Sequence, residues 1–188
     1  DQLRGRRLSQ DQLKRIRQFN PAFPTQNAAF RNRRDGTFEL IGSPWGFDRA
    51  GISYGMALAD LDKDGDLDVV VNNLNDAASL YRNNATAGRI AVSLRGLPPN
   101  TQGIGARIRL VGGSITQSQE MIAGGRYMSG DQAMRVFAVD PSPEKPMRLE
   151  VKWRGGKRSI VEDARPDRVY EIDEAAAKPP AESSPQTS

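Results

Sequence analysis

The chain has 188 residues, with 27 Lys and Arg against 23 Asp and Glu, a formal charge of +4 and a pI of about 9.6. It contains no Cys and no His, which excludes disulfides, thiolate nucleophiles, Cys/His zinc sites and His-based catalytic triads. Apolar residues make up 37% of the chain, which also holds 18 Gly and 12 Pro, a composition typical of many-stranded β proteins rather than of helical bundles. The chemistry left for a site is that of carboxylates and other oxygen ligands.

The chain begins with a basic segment that contains one short helical pattern. Ser9 and Gln12 match a capping box, and Leu13 and Ile16 recur at helical spacing, so residues 10–18 are predicted to form a helix. We interpret residues 1–26 as a basic helical connector. Such a segment can contact a polyanion, but a solvated helix is the simpler interpretation.

From there to residue 174 the sequence predicts short strands in two sets. Each candidate is an apolar or alternating run bounded by Gly, Asn, Asp or Pro. The first set lies in residues 27–86 and comprises 29–31, 37–41, 56–59, 67–71 and 79–81. The second set lies in residues 87–174 and comprises 89–94, 106–111, 115–122, 135–139, 147–153, 157–161 and 168–172. Residues 175–188 are rich in Ala, Pro and Ser and are predicted to be a disordered tail.

The segment with the clearest chemistry runs from Asp60 to Asp68. Its sequence, DLDKDGDLD, holds five carboxylates that repel one another unless a cation compensates them. Calcium requires six to eight oxygen ligands from a tightly turned loop, and Gly65 offers a residue suited to positive φ. We predict one calcium ion with these ligands: the side chains of Asp60, Asp62, Asp64 and Asp68, and the backbone carbonyl of Asp66.

Three other interpretations of this segment fit less well. An EF-hand needs Glu at the twelfth loop position and a following helix, whereas this chain has Val71 within a predicted strand. Magnesium prefers few carboxylates and keeps several waters, so it is less suited to the segment than calcium. An ordinary acidic surface turn is disfavoured by the specific D-x-D-x-D-G-x-x-D spacing. The loop is therefore predicted to join two strands around calcium.

Two segments resemble the FG-GAP/VCBS repeat of integrin-like β-propellers, in which a D-x-D-x-D-G-x-x-D loop binds calcium. Residues 60–68 match that loop, and residues 30–38, FRNRRDGTF, resemble the end of a preceding repeat. An aromatic-Arg-Asn echo at Phe30 and Tyr81, about 50 residues apart, fits the same repeat. The resemblance implies that residues 27–86 form the last blade of a partial β-propeller.

The second half of the chain resembles the ASPIC/UnbV domain, which often follows such repeats in cartilage acidic protein and its bacterial relatives. The matching segments are Asn100 with residues 103–108, GIGARI, then 124–129, GGRYMS, 151–156, VKWRGG, and 170–174, YEIDE. The chain departs from the family pattern at Arg154, where Pro is usual, and around Phe137. The resemblance implies a compact β-sandwich or barrel-like domain over residues 87–174, in the C-terminal part of a larger propeller protein.

Other motifs are interpreted as structural. Gly103 and Gly105 precede a predicted strand rather than a helix, so a tight turn is favoured over a phosphate-binding loop. Trp45, Phe47 and Trp153 are expected to be packing residues rather than platforms for sugars. No run of apolar residues is long enough to predict a membrane span.

These features predict an all-β, calcium-binding, non-enzymatic module for binding or adhesion. The resemblance implies an extracellular, cell-surface or periplasmic location and an unidentified protein or glycan as ligand. Two alternatives stay open. The basic segment, residues 4–34, would bind a polyanion such as a glycosaminoglycan, with nucleic acid disfavoured. A carbohydrate-active enzyme would use two of the Asp residues as acid and base, but clustering in one turn fits a cation better.

Overall fold

The computed structural model describes residues 8–19, 23–140 and 146–179. These residues form one α-helix, sixteen strands and one 3-10 helix, so the all-β prediction is confirmed. The chain divides into two compact units, residues 1–53 with 73–76, and residues 54–72 with 77–188. The predicted domain boundary after residue 86, between the blade and the ASPIC/UnbV-like domain, stays a prediction.

Helix α1 spans Gln10–Phe19, close to the predicted residues 10–18. Its N-terminus has the reciprocal geometry of a capping box. The Ser9 amide donates to Gln12 Oε1 at 2.9 Å, and the Gln12 amide donates to Ser9 Oγ at 3.2 Å. These bonds satisfy two amides that the helix itself leaves unpaired. Arg4, Arg6 and Arg7 of the basic segment lie outside the described residues.

The first unit contains two small antiparallel pairs. β1 (Thr25–Gln26) pairs with β4 (Ala50–Gly51), and β2 (Phe30–Asn32) pairs with β3 (Phe38–Leu40). The hairpin of β2 and β3 is predicted by its alternation, whereas the two-residue strands are not, because two residues show no periodicity. Trp45, expected to be a packing residue, is 56% exposed.

All but two end residues of the sheet that carries the acidic segment belong to the second unit. This sheet has the order β5 (Ser53–Ala59), β6 (Asp68–Asn73) and β7 (Ser79–Tyr81). Strands β6 and β7 are antiparallel, with Val70 opposite Leu80. The acidic segment connects β5 to β6, which confirms that it joins two strands.

The rest of the second unit is a β-sandwich. One sheet places β8 (Arg89–Arg95) between antiparallel β13 (Met134–Ala138) and parallel β16 (Arg168–Asp173). The other sheet has the order β10 (Gln117–Glu120), β9 (Arg107–Val111), β14 (Met147–Lys152) and β15 (Arg158–Ala164), with every pair antiparallel. A short hairpin of β11 (Gly125–Arg126) and β12 (Ser129–Gly130) lies between β10 and β13 in the chain.

The core of the sandwich lies between the two sheets because alternate residues of their strands point inward. Ile90 and Val92 of β8, Ile108 of β9 and Leu149 of β14 are fully buried. Each such side chain contributes on the order of 1.5–3 kcal/mol. Trp153 joins this core and its Nε1 donates to Ser159 Oγ at 2.9 Å, which confirms its packing role.

Gly103 shows why the Gly-rich segment before β9 is a turn. Its φ is +64°, and a Cβ at this position would lie 2.9 Å from Leu94 Cβ and 3.1 Å from the Trp153 ring. Strand β9 follows directly, with no helix whose N-terminus could hold a phosphate. The tight-turn interpretation is confirmed.

The first residues of the predicted tail are folded instead of disordered. A 3-10 helix spans Glu174–Ala176, and its N-cap Asp173 accepts a hydrogen bond from the Ala175 amide at 2.8 Å. Lys178 then forms an antiparallel bridge to Arg158 on the edge of β15. This edge offers unpaired backbone groups that composition alone does not reveal. Residues 180–188 lie outside the described residues.

Candidate metal centre

Three of the five predicted ligands converge in space. Asp60, Asp62 and Asp64 each place one carboxylate oxygen within 4.8 Å of the other two. Asp60 is half-buried and the other two residues are exposed. A cation could therefore reach all three carboxylates from solvent.

The loop holds this arrangement through its own carboxylates. Asp60 accepts from two amides, that of Asp64 at Oδ1 and that of Gly65 at Oδ2, both at 3.1 Å. Asp64 Oδ1 accepts from the Asp66 amide at 3.0 Å. The turn requires positive φ at Lys63 (64°) and Gly65 (89°). Because a carboxylate oxygen has more than one lone pair, these bonds leave room for a cation.

Asp68 has a different set of contacts. Its Oδ2 accepts from the Leu61 amide at 3.0 Å, and its Oδ1 accepts from the Asn83 amide at 2.8 Å. The residue is only 3% exposed. Asp68 therefore ties the start of the loop to the segment after β7, and its role as a metal ligand stays a prediction.

Asp66 is buried beside the cluster. It is 3% exposed, and neither carboxylate oxygen has a hydrogen-bond partner among the described residues. Burial raises the pKa of its carboxyl from 3.8 to about 6; the charge of Arg89 opposes this rise, and those of Asp64, Asp68 and Asp62 add to it. Its backbone carbonyl, the predicted ligand, stays a prediction.

Two arginines that the sequence analysis missed balance the loop. Arg82 Nη2 lies 2.6 Å from Asp62 Oδ2 in an exposed ion pair. Arg89 Nη2 donates to the Asp64 carbonyl at 3.0 Å and lies 3.3 Å from Asp64 Oδ1 and 3.5 Å from Asp66 Oδ2. Arg82 belongs to the aromatic-Arg-Asn echo, which could have pointed to it. No sequence pattern points to Arg89, because it lies 25 positions beyond Asp64.

The echo also has a structural counterpart. Asn32 Oδ1 accepts from the Arg34 amide at 2.8 Å, and Asn83 Oδ1 accepts from the Ala85 amide at 3.0 Å. In both copies the Asn thus forms the same turn with the residue two positions later.

A third residue that the sequence analysis missed is Gln132. Its Oε1 accepts a hydrogen bond from the Asp60 amide at 2.8 Å and fixes the first residue of the loop.

The donor set fits a hard cation. All the groups that converge are carboxylate oxygens, and the sequence contains no Cys or His that could add a thiolate or an imidazole. Calcium accepts several carboxylates in a flexible coordination geometry, whereas magnesium demands near-octahedral geometry and keeps its waters. A metal ion at this site would have to compete with the Arg82 side chain for the Asp62 carboxylate.

The structure has an acidic loop between two strands and a β-sandwich after it, which is the order of elements that the sequence resemblances imply. Comparison with family models supports both resemblances. Residues 22–71 match the model described as FG-GAP-like repeat, and residues 96–179 match the model described as ASPIC and UnbV. The chain thus carries an FG-GAP-like repeat followed by an ASPIC/UnbV domain, in the predicted order. No curated protein matched the chain.

FG-GAP repeats are typical of extracellular proteins, and the two matches together suggest an extracellular-type binding module. Among the described residues, no helix has the length and apolarity needed to cross a membrane.

Proposed function

We propose that this chain is a calcium-binding, non-enzymatic module that acts outside the cytoplasm in binding or adhesion. The observation that carries the proposal is the convergence of Asp60, Asp62 and Asp64 within 4.8 Å. Calcium binds carboxylate oxygens in loops of this kind, and the loop lies within the FG-GAP-like match. The sheet of β5, β6 and β7 would then belong to the last blade of a propeller.

The proposed ion would be held by residues of one loop. Asp60, Asp62 and Asp64 supply side-chain oxygens, and the Asp68 side chain and Asp66 carbonyl complete the proposed set. On binding calcium, the Asp62 carboxylate would give up its ion pair with Arg82 and bind the metal instead. A bound calcium ion would supply two positive charges where the carboxylates repel one another.

The arrangement of the carboxylates supports a binding role rather than catalysis. Glycoside hydrolysis uses two carboxyl groups on opposite sides of the scissile bond. In this loop the three exposed or half-buried carboxylates belong to one turn and point to a common centre. The ligand of the module would be a protein or a glycan.

Calorimetric titration with calcium tests this proposal. The wild-type chain should bind about one ion, and Asp62→Asn/Asp64→Asn should lose binding because the loop loses two anionic ligands. Glu162→Gln/Asp163→Asn removes two exposed carboxylates from β15 and serves as the matched control. Absence of calcium binding by the wild type, or equal loss in both variants, would contradict the proposal.

A further inference from the structure

The outer face of the four-stranded sheet carries a lateral row of like charges. Arg107, Lys152 and Arg158 lie directly opposite one another on β9, β14 and β15. The bridge from Arg158 to Lys178 extends the row by a fourth cation. At the other end, Arg107 is opposite Glu120 of β10. Neighbouring strands are about 4.8 Å apart, so four cations span about 14 Å.

The four cations of this row form no ion pair with any described residue, although Glu120 lies opposite Arg107 at one end. All four residues of the row are exposed, and no salt bridge of the described chain includes Arg107, Lys152, Arg158 or Lys178. The next row differs, because Arg109 pairs with Glu150 at 3.1 Å. The sheet therefore balances its charges in one row and leaves the neighbouring row unbalanced.

A row of positive charges without ion-pair partners favours the binding of an anion from outside the protein. Like charges directly opposite one another destabilise an antiparallel sheet. A cleft of about 210 Å³ lies over this row and the next, lined by Arg107, Lys152 and Arg158 of this row and by the paired Arg109 and Glu150 and the exposed Ile160 of the next. A ligand with several anionic groups in a line would relieve the repulsion and occupy the cleft.

We infer that this face, the residues Arg107, Lys152, Arg158 and Lys178, binds a linear anionic polysaccharide. The charges follow one line, as the groups on such a polymer do. The outward-facing side chains of the four strands include no aromatic ring, which single-stranded nucleic acids need for base stacking. Ile160 is the only strongly exposed large apolar side chain on these strands, too little to anchor in a membrane.

This inference names a ligand class for the proposed module but uses a different sheet from the acidic loop. Calcium binding and polysaccharide binding can therefore succeed or fail separately. It also differs from the alternative in which residues 4–34 bind a polyanion, and variants of each region distinguish the two.

The test uses the full chain and a fluorescent heparin oligosaccharide, with anisotropy measured over a range of salt concentrations. Engagement of four cations should give a slope of about −3 for log affinity against log salt. Arg107→Gln/Lys152→Gln/Arg158→Gln should weaken binding by about tenfold or more at low salt. Glu120→Gln should strengthen it, because the carboxylate at the end of the row is removed.

The matched control is Lys14→Gln/Arg15→Gln/Arg34→Gln, which removes the same charge from the basic N-terminal segment. It should bind heparin as the wild type does. Thermal unfolding and calcium titration of both triple variants verify that the fold and the acidic loop are unchanged.

Four results would overturn the inference. They are no heparin binding by the wild type, undiminished binding by the sheet variant, loss of binding in the N-terminal control instead, and tighter binding of single-stranded DNA or phosphatidylserine vesicles than of heparin. Selective heparin binding that is lost only in the sheet variant supports it.

Discussion

Arg89 is the cation that faces the buried Asp66, and its removal should expose how the acidic loop is held. The Arg89 side chain is 19% exposed and the Asp66 side chain 4%. Arg89 also donates to the carbonyls of Ala85 at 2.9 Å and Asp64 at 3.0 Å. Arg89→Gln would therefore leave a buried carboxylate without its counter-charge.

The magnitude follows from burial. Breaking a fully buried ion pair costs about 3–5 kcal/mol. Arg89 keeps some contact with solvent, and the distance to Asp66 Oδ2 is 3.5 Å, so we expect Arg89→Gln to lower the free energy of unfolding by about 2–4 kcal/mol near pH 8. The measurement is urea unfolding with a chelator present, which removes any contribution of metal.

The loss of unfolding free energy caused by Arg89→Gln should depend on pH in a defined direction. Burial raises the pKa of Asp66 from 3.8 to about 6, so the folded protein binds the proton more tightly than the unfolded chain. Stability from this group is fully present below pH 3.8 and is lost as the pH rises through about 6, a change of about 3 kcal/mol. Because Arg89 opposes this rise, Arg89→Gln should cost less near pH 5, where Asp66 is largely neutral.

A double-mutant cycle with Asp66→Asn tests the reasoning. The amide is neutral at every pH, so Arg89→Gln should cost at least about 1 kcal/mol less in the Asp66→Asn background at pH 8. In the same background the pH dependence should largely disappear. Equal costs in both backgrounds would show that these two charges are not coupled, and Arg89 would then not be the counter-charge that holds Asp66 in the loop.

Three further outcomes are expected. Calcium at about a hundred times Kd should stabilise the fold by about 2.7 kcal/mol and raise the melting temperature by several degrees, whereas Asp62→Ala/Asp64→Ala should melt identically in calcium and in chelator. Arg82→Gln should raise calcium affinity by about 1.4-fold to fivefold in calorimetry, since an exposed ion pair is worth about 0.2–1 kcal/mol and this one competes for Asp62; weaker binding would contradict the competition. Gly103→Ala should cost about 2–4 kcal/mol in urea unfolding, because φ is +64° and Leu94 leaves no room, while Gly155→Ala, with open space around it, should change stability by less than about 0.5 kcal/mol.

Much of the fold was predictable because its signals are local. Alternation marks β9 and β14, since inward and outward residues differ in polarity over five or more positions, and a continuous apolar run marks β8. The capping box at Ser9 and Gln12 requires only neighbours in the chain. Strands β1 and β4 escaped prediction because each has two residues and depends entirely on a partner far away in sequence.

The candidate site likewise has one part that local spacing predicts and one part that depends on residues distant in the sequence. The spacing of Asp60, Asp62 and Asp64 predicts their convergence, because a single turn around Gly65 brings them together. The contacts of Asp68 were not predictable, since Asn83, 15 positions away, donates to it only after β6 and β7 pair. The position of Arg89 likewise depends on β8 lying beside the loop.

By itself, the sequence determined the all-β class, the order of an FG-GAP-like repeat and an ASPIC/UnbV domain, and the acidic turn. All three depend on residue type at short spacing. The tertiary structure alone decided which charges meet: Arg89 at Asp64 and Asp66, and Arg107, Lys152, Arg158 and Lys178 in one row. These contacts between charged side chains depend on strand register. Register is set by the burial of a whole sheet face rather than by any residue in the row.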